Sequence, residues 1–277
     1  MSSDKPIQLD VAGVLASRLG KRSRWVPRPL VRWLEKLIHQ DDMNELLVAN
    51  HPRRGSAFCE GVMEHLGIKI EIDGIENMPS KDCPRVIFAS NHPLGGLDGM
   101  ALIHFVASYF GREPLFIIND ILMAIEPLRD VFVPVNKHGA QSRSTIEAID
   151  KAMSGDRPVI IFPAGLCSRR RNGKIADLQW QKMFVQKARQ WGRDIIPLRF
   201  NARNSDSFYN WAARREKFGL KFNAEMVLLP GEVFKSRGKT FNISVAPAVK
   251  VSEISGNFVA ETQKIRTIVD SMERVAI

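Results

Sequence analysis

The stretch Val86-Ile-Phe-Ala-Ser-Asn-His-Pro-Leu-Gly-Gly-Leu-Asp-Gly99 decides the fold. Residues 86–89 form a short apolar run, which is typical of a strand buried on both faces of a parallel sheet. The run ends in a loop that contains Asn91, and Gly95 and Gly96 allow this loop to turn tightly. A helix is predicted to begin immediately afterwards, so the stretch indicates a strand, a loop and a helix.

His92 and Asp98 lie at the two ends of that loop. Open parallel sheets bind their ligands at the carboxyl ends of the strands, so His92 is expected at a site. Asp98 stands where the helix begins, and its carboxylate can turn back to one ring nitrogen of His92. That contact fixes the tautomer and leaves the other nitrogen to take a proton from a hydroxyl. We predict that this pair is catalytic; the alternative is a structural His–Asp pair.

A second segment of the same kind is Val159-Ile-Ile-Phe-Pro-Ala-Gly-Leu-Cys-Ser-Arg-Arg-Arg171. Here a predicted buried strand ends in a Pro/Gly turn, and Arg169, Arg170 and Arg171 follow. Such a cluster of arginines can bind an anionic ligand. The alternative for such a run is a solvated loop.

Apolar runs and helix-like segments alternate along the rest of the chain. Buried strands are predicted at residues 85–90, 114–118, 131–135, 158–162 and 194–200. Helices are predicted near residues 97–110, 140–154 and 178–191. The alternation indicates an α/β fold with a mostly parallel, twisted sheet flanked by helices. A later pair, near residues 222–230 and 240–247, is expected to add strands at one edge.

The N-terminal part of the chain is predicted to be helical. Residues 22–40 indicate a basic amphipathic helix after Pro29, with tryptophan and arginine interleaved along it. Such a composition is typical of a helix that lies in a membrane interface; the alternative is a surface helix whose apolar stripe packs on the core. The simplest division is a helical N-terminal segment over residues 1–66, with membrane docking as one interpretation, and one catalytic domain over residues 67–277.

The composition excludes several classes of protein. The 277 residues, 44% hydrophobic and 25% charged, suffice for one large domain that needs neither disulfides nor a metal to fold. The sequence has no secretory-signal core and no apolar run of about 18 residues, so neither export nor a spanning helix is expected. The three cysteines lack metal-type spacing and suit a reducing cytosol.

The net charge of +10 fits a nucleic acid, an anionic membrane surface or an acidic protein equally well. Zinc-finger spacing, an RNA-binding aromatic signature and an arginine-rich tail are all missing from the sequence. No nucleic-acid partner is therefore predicted. No metal is predicted either, because the histidines form no ligand set of recognisable spacing.

The segments around His92 and Phe162 together resemble the glycerolipid acyltransferase family, whose best-known members are the 1-acylglycerol-3-phosphate acyltransferases. That family has a His-four residues-Asp signature and, further along the chain, a Phe-Pro-Glu-Gly-Thr-Arg signature. His92 and Phe162 stand at the separation that the family has. Val133-Pro-Val-Asn-Lys137 and Ile195-Ile-Pro-Leu198 match two further blocks in the same order. The resemblance covers roughly residues 65–250.

The chain also departs from the family pattern. Five residues, rather than four, separate His92 from Asp98, so the loop must bulge by one residue. Ala164 replaces the family's glutamate. Cys167 and Lys137 stand where the family has phosphate-binding arginines, and lysine binds phosphate only as a point charge. The catalytic pair is thus retained while the phosphate clamp is altered.

Four stretches are similar to a subgroup that finishes ornithine or glycine lipids by esterifying the 3-hydroxyl of an N-linked hydroxyacyl chain. They are Asn91-His-Pro-Leu-Gly-Gly-Leu-Asp-Gly99, Phe162-Pro-Ala-Gly165, Gly173-Lys-Ile-Ala-Asp-Leu-Gln-Trp180 and Arg203-Asn-Ser205. An acceptor of this sort carries a carboxylate or an amino acid in place of phosphate. The resemblance therefore implies a lyso-glycine or lyso-ornithine lipid as the preferred acceptor.

The resemblance also implies a mechanism and a location. His92 is the general base, the acyl donor is acyl-carrier protein or acyl-CoA, and no cofactor is needed. Backbone N–H groups around Gly165 are candidates for the oxyanion site. The residues expected to bind acceptor or donor are Lys137, Phe162, Pro163, Gly165, Arg169, Arg170 and Arg171. The enzyme is expected to be peripheral, on an anionic surface at the cytoplasmic face of the inner membrane.

Three other functions remain open. A 1-acylglycerol-3-phosphate acyltransferase of phospholipid synthesis would use the same pair. A hydrolase would use the pair on water, in an open and wet site. A non-catalytic protein that binds membranes or nucleic acid would be built on a degenerate acyltransferase scaffold. Transfer of an acyl group to an added lyso-lipid, without release of free fatty acid, separates acyl transfer from the last two.

Overall fold

The strand that precedes His92, Val86–Ser90, lies at the centre of a seven-stranded sheet. The structure is a computed structural model that describes residues 8–135, 143–171, 173–217 and 224–273. Its strands in those residues are β1 Lys69–Asp73, β2 Val86–Ser90, β3 Leu115–Asn119, β4 Phe132–Val135, β5 Val159–Ile161, β6 Arg169–Arg171, β7 Lys174–Ala176, β8 Asp194–Asn201 and β9 Thr240–Val245. Its helices there are α1 Val11–Leu19, α2 Arg28–Leu37, α3 Gln40–Ala49, α4 Gly55–Leu66, α5 Leu97–Phe110, α6 Arg143–Ser154, α7 Met183–Trp191, α8 Asp206–Lys217, α9 Leu229–Phe234 and α10 Phe258–Ser271.

The large sheet has the strand order β1-β9-β8-β2-β5-β3-β4. Its neighbouring strands are parallel except for β8 and β9, which are antiparallel. The predicted mostly parallel sheet flanked by helices is therefore confirmed. Because β2 and β5 are parallel neighbours, the loops that follow them emerge at the same edge of the sheet. This arrangement brings the segment after residue 90 next to the segment after residue 161.

Helices cover both faces of the sheet. Successive residues of a strand point to opposite faces, so each strand contacts the helices on both sides. All five residues of β2 are buried, as its apolar run predicts. On one face Phe88 belongs to a core cluster with Val62 of α4 and Leu102 of α5. On the other face Ile87 belongs to a cluster with Phe184 of α7 and Ile265 of α10. The central strand is thus fixed by packing from both sides.

The expectation of a strand near residues 222–230 is wrong. Ala224–Leu228 forms a 3-10 segment, and α9 follows it directly. Pro230 lies in the first turn of α9, where its missing N–H costs no helical hydrogen bond. Inside a strand, the same proline would remove a bond of the ladder. The second strand of the predicted pair is present as β9, which lies between β1 and β8.

The hairpin formed by β6 and β7 was not predicted from the sequence. Arg169–Arg171 pairs antiparallel with Lys174–Ala176, where a basic loop was one interpretation. Gly173, in the turn between them, has a φ of 79°, in the left-handed region that glycine adopts without strain. Strands of three residues are too short to show an alternating pattern, so the sequence carried no periodic signal for them.

The amphipathic helix predicted over residues 22–40 is present in a shorter form, as α2. All of Arg28–Leu37 is described, and none of these residues is buried. The side chains of Trp25 and Trp33 are 87% and 54% exposed. The apolar side of α2 therefore stays largely at the surface, whereas α4 packs into the core through Phe58 and Val62. The domain boundary at residue 66 stays a prediction.

None of the helices in the described residues combines the length and the apolar character that crossing a membrane requires.

Candidate active site

The loop between β2 and α5 is attached to the neighbouring strand β8 by Asn91. The buried Asn91 side chain donates to the carbonyl oxygen of Phe200 at 3.0 Å and accepts from the N–H of the same residue at 2.7 Å. An amide can do both because it carries a donor and an acceptor. Asn91, the first residue of the loop, therefore anchors the start of the loop to β8.

Gly95 is the glycine of this loop whose backbone conformation other residues rarely adopt. Gly95 has a φ of 83°, and a β-carbon there would come within 2.7 Å of the Leu229 side chain. Only glycine fits such a position without a shift of its neighbour. Gly96 is exposed, and a β-carbon there would meet nothing within 4 Å. Of the two predicted loop glycines, the backbone thus requires the first.

Asp98 contacts His92, as the sequence predicts. Oδ2 of Asp98 lies 2.9 Å from Nδ1 of His92, and the carboxylate also accepts from the N–H groups of Leu94 and Gly99, each at 2.9 Å. The Asp98 side chain is 0% exposed. Burial alone raises the pKa of its carboxyl, but the His92 imidazole and the three hydrogen bonds outweigh burial and hold the pKa below its ordinary value. The pair thus contains an ionised carboxylate that fixes the ring.

The His92 imidazole is held on its face as well as on its edge. It stacks on the Phe162 ring at a centroid distance of 4.0 Å and an angle of 18°. Phe162 in turn meets the edge of Phe116 at 5.1 Å. The His92 side chain remains 15% exposed. With Asp98 on Nδ1, Nε2 is the nitrogen that can take a proton from a substrate hydroxyl.

The turn after β5 runs from Phe162 to Gly165, and it closes on itself. The N–H of Gly165 donates to the carbonyl oxygen of Phe162 at 2.9 Å, and Gly165 has a φ of 65°. The carbonyl oxygen of the buried Pro163 accepts from the N–H of Gln181 at 3.0 Å. The Gly165 N–H is therefore engaged within the turn, which leaves the neighbouring N–H groups as oxyanion candidates. Phe162 lies against the His92 ring.

Arg169, which is predicted to bind the head group, lies in a buried environment, and its role stays a prediction. Its side chain is only 4% exposed, and the guanidinium donates to Glu225 at 2.8 Å and to the carbonyl oxygen of Cys167 at 2.7 Å. The Glu225 carboxylate is 0% exposed and also pairs with Arg215 at 2.8 Å. The charge of Arg169 therefore has a buried partner, and this ion pair ties β6 to residue 225.

The other predicted basic residues differ in their surroundings. Arg170 is half-buried, donates to the Asp206 carboxylate and to Asn210, and lies over the Tyr209 ring at 5.3 Å. Arg171 is exposed at the end of β6. Lys137 lies outside the described residues. A binding role for Arg170, Arg171 and Lys137 stays a prediction.

Cys167 is fully buried beside Phe208 and Tyr209. Burial raises the pKa of its thiol, and the contact with Arg169, 2.9 Å from Sγ, only partly opposes this. A buried thiol of raised pKa is a poor nucleophile. Cys167 is therefore a packed residue rather than a nucleophile.

Sequence reasoning missed Ser168 and Asp177, which both contact the His92 backbone. The N–H of Ser168 donates to the carbonyl oxygen of His92 at 2.7 Å, and the Asp177 carboxylate accepts from the N–H of His92 at 3.2 Å. Asp177 belongs to the stretch 173–180, whose only signal in the sequence is its similarity to the amino-acid-lipid subgroup.

Among the described residues, no group of three His, Cys, Asp or Glu side chains is arranged to hold a metal ion.

A histidine that a buried carboxylate holds in one tautomer, at the carboxyl edge of a parallel sheet, has the geometry that activation of a substrate hydroxyl for group transfer requires. A family model described as Acyltransferase matches residues 13–269 of the chain. The chain belongs to this acyltransferase family, and it is an acyl-transferring enzyme.

Two relatives share most of their length with this chain. It is 39% identical over 249 residues to a lyso-glycine lipid O-acyltransferase of Phocaeicola vulgatus, covering 90% of this chain and 88% of the relative. It is 40% identical over 244 residues to a lyso-glycine lipid O-acyltransferase of Bacteroides thetaiotaomicron, covering 88% and 89%. A crystal structure of the 1-acyl-sn-glycerophosphate (LPA) acyltransferase PlsC from Thermotoga maritima is similar with a TM-score of 0.49 and 16% identity, covering 96% of this chain and 90% of that one.

Proposed function

We propose that this chain transfers a fatty acyl group from acyl-carrier protein or acyl-CoA to the hydroxyl of a lyso-amino-acid lipid, with a lyso-glycine lipid as the preferred acceptor. The observation that carries the chemistry is the 2.9 Å contact between Nδ1 of His92 and the buried carboxylate of Asp98. The choice of acceptor is supported by the two relatives at 39% and 40% identity, which are both lyso-glycine lipid O-acyltransferases.

In this mechanism Nε2 of His92 takes the proton from the acceptor hydroxyl as the oxygen attacks the thioester carbonyl. A new C–O ester bond forms, the C–S bond breaks, and the imidazolium returns the proton to the departing thiolate. Asp98 stabilises the imidazolium through Nδ1 without itself accepting the proton. No covalent acyl-enzyme is needed, and no cofactor takes part.

The basic residues of the β5–β6 region favour an acceptor without a phosphomonoester. Cys167, where the family resemblance expects a phosphate-binding arginine, is 0% exposed. Arg169 donates to the buried carboxylate of Glu225, and Arg170 donates to the exposed carboxylate of Asp206. A phosphate pocket needs bidentate charged donors, and each charge-assisted contact that is lost costs about 1.5–3 kcal/mol.

We therefore expect kcat/KM for an N-(3-hydroxyacyl)glycine acceptor to exceed that for lysophosphatidic acid by at least about tenfold, since 1.4 kcal/mol corresponds to a factor of ten. Side-by-side kinetics with one acyl donor measure this ratio, and release of free fatty acid is followed in the same assay. A preference for lysophosphatidic acid would instead indicate phospholipid synthesis, and free fatty acid as the main product would indicate a hydrolase.

The buried position of Cys167 also limits the choice of variants for that test. An arginine at residue 167 would need space where the side chain is 0% exposed, and its charge would lie next to that of Arg169. Loss of activity in Cys167→Arg would therefore report on folding as well as on specificity. The kinetic ratio in the wild-type enzyme is the sharper measurement.

We further propose that the enzyme is peripheral on an anionic membrane surface, at the cytoplasmic face of the inner membrane, and that α2 docks there. Trp25, Leu30 and Trp33 are exposed large apolar side chains on or beside α2. Arg28, Arg32 and Lys36 are exposed on the same helix. Tryptophan with interleaved basic residues suits an interface, where the ring enters the head-group layer and the cations face anionic lipid.

Charge reversal of this helix, in the triple variant Arg28→Glu, Arg32→Glu and Lys36→Glu, should release the protein from anionic vesicles. Each basic residue near such a surface contributes about 1 kcal/mol. The matched control reverses Lys151, Lys182 and Lys264, which are exposed on or beside α6, α7 and α10. Co-sedimentation at low and high salt measures binding. Equal loss of binding in the two triple variants would show that net charge, rather than α2, sets attachment.

A further inference from the structure

The Asp177 carboxylate is joined to the main chain of His92 although 85 residues separate them. Its Oδ1 accepts from the N–H of His92 at 3.2 Å and from the Ser168 hydroxyl at 2.6 Å. The N–H of Ser168 donates to the carbonyl oxygen of His92 at 2.7 Å. Both polar backbone groups of the catalytic residue are therefore held from the segment after β5.

Asp177 is itself held in place by two further side chains. Its Oδ2 accepts from Nε1 of Trp180 at 3.0 Å, and its carbonyl oxygen accepts from Arg266 of α10 at 2.9 Å. Burial raises the pKa of the Asp177 carboxyl, and the hydrogen bonds from Ser168 and Trp180 offset only part of that effect. A carboxylate is costly to bury, and the hydrogen bonds of this one connect it to the His92 segment and to Trp180.

The remaining contacts of His92 act on its ring or on its chain neighbour. Asp98 holds Nδ1, Phe162 covers one face, and Asn91 anchors the preceding residue to β8. None of these three fixes the main chain of residue 92. A rotation of that main chain would move Nε2 relative to the acceptor hydroxyl, even with the contact to Asp98 intact.

We propose that Asp177 is a positioning residue for acyl transfer, which clamps the His92 main chain so that Nε2 points at the acceptor hydroxyl. The inference rests on the proposed function for the identity of the reaction. A misplacement of about 1 Å in a reacting group costs roughly 10²-fold in rate. The clamp therefore acts on the chemical step and leaves substrate affinity unchanged.

The test compares Asp177→Leu, which keeps a similar volume without an acceptor, with Asp177→Asn, whose single amide oxygen can face either His92 or Trp180. We expect kcat to fall about 10- to 100-fold in Asp177→Leu, and by less in Asp177→Asn, with the KM for donor and acceptor within about twofold of wild type. The matched control is Asp82→Leu, because Asp82 is exposed in the loop before β2; it should leave kcat unchanged.

A second readout separates positioning from stability and needs no substrate. The low-field proton resonance of the His92 Nδ1–H, hydrogen-bonded to Asp98, should shift in both Asp177 variants and stay in place in Asp82→Leu. If Asp177→Leu fails to fold, Asp177→Asn provides the same two measurements. Folded Asp177 variants with wild-type kcat and an unshifted resonance would overturn the proposal, as would a raised KM at constant kcat. If the wild type acylates neither acceptor, the proposed function fails, while the resonance still tests the clamp.

Discussion

Replacing His92 by alanine should lower kcat by about 10²–10⁴, the range for a positioned general base. The reason is that in the proposed mechanism Nε2 removes the hydroxyl proton, while Nδ1 is already engaged with Asp98 at 2.9 Å. Asp98→Asn should be similarly severe, since the amide cannot hold the reactive tautomer and leaves a buried donor facing the ring or the Leu94 N–H. The measurement is steady-state acylation of the lyso-lipid by purified protein.

The matched control for this experiment is His65→Ala, in the last turn of α4 and outside the site. It should retain wild-type kcat. Circular dichroism and thermal unfolding of the His92 variant should be close to wild type, because the ring is partly exposed and its removal leaves the core intact. A His92→Ala enzyme that transfers acyl groups at the wild-type rate would disprove the base mechanism.

Removing the Glu225 carboxylate should destabilise the fold by about 3–5 kcal/mol, the usual cost of leaving a buried partner charge without its counterion. Glu225 is 0% exposed and pairs with Arg169 and with Arg215, each at 2.8 Å. In Glu225→Ala the Arg169 guanidinium, 4% exposed, stays buried without an anion. The free energy of unfolding, from denaturant titration with an unchanged slope, measures the loss.

The control is Glu147→Ala, which breaks an ion pair between Arg143 and Glu147 whose side chains are 94% and 65% exposed. Pairs of this kind contribute little, so the midpoint should hardly move. Equal midpoints for Glu225→Ala and Glu147→Ala would show that the Arg169 pair is not desolvated. Arg169 would then be available again as a head-group residue.

The sequence predicted those parts of the fold that depend on local pattern. The apolar runs at residues 85–90, 114–118, 131–135, 158–162 and 194–200 all correspond to strands of the sheet. The contact between His92 and Asp98 was also predictable, because both residues lie in one short loop that connects a strand to a helix. The prediction of a strand near residues 222–230 was wrong, because a short apolar run does not by itself distinguish a strand from a helix.

The surroundings of the basic and acidic residues around the site depend on contacts with residues that are distant in the sequence. Arg169 finds its counterion 56 residues away, and Asp177 finds the His92 N–H 85 residues away. A run of arginines has the same appearance in sequence whether its charges face a ligand or a buried carboxylate. Only burial, which depends on what packs over the run, separates the two.

The sequence by itself thus determined the class of fold, the central strand and the contact between His92 and Asp98, because side-chain periodicity and a tight loop encode them within a few neighbouring residues. The tertiary structure alone decided the strand order, the antiparallel pairing of β8 with β9, and which charged side chains form buried ion pairs. Those features arise when distant segments close onto one sheet, and the desolvation that pairs Arg169 with Glu225 exists only after that closure.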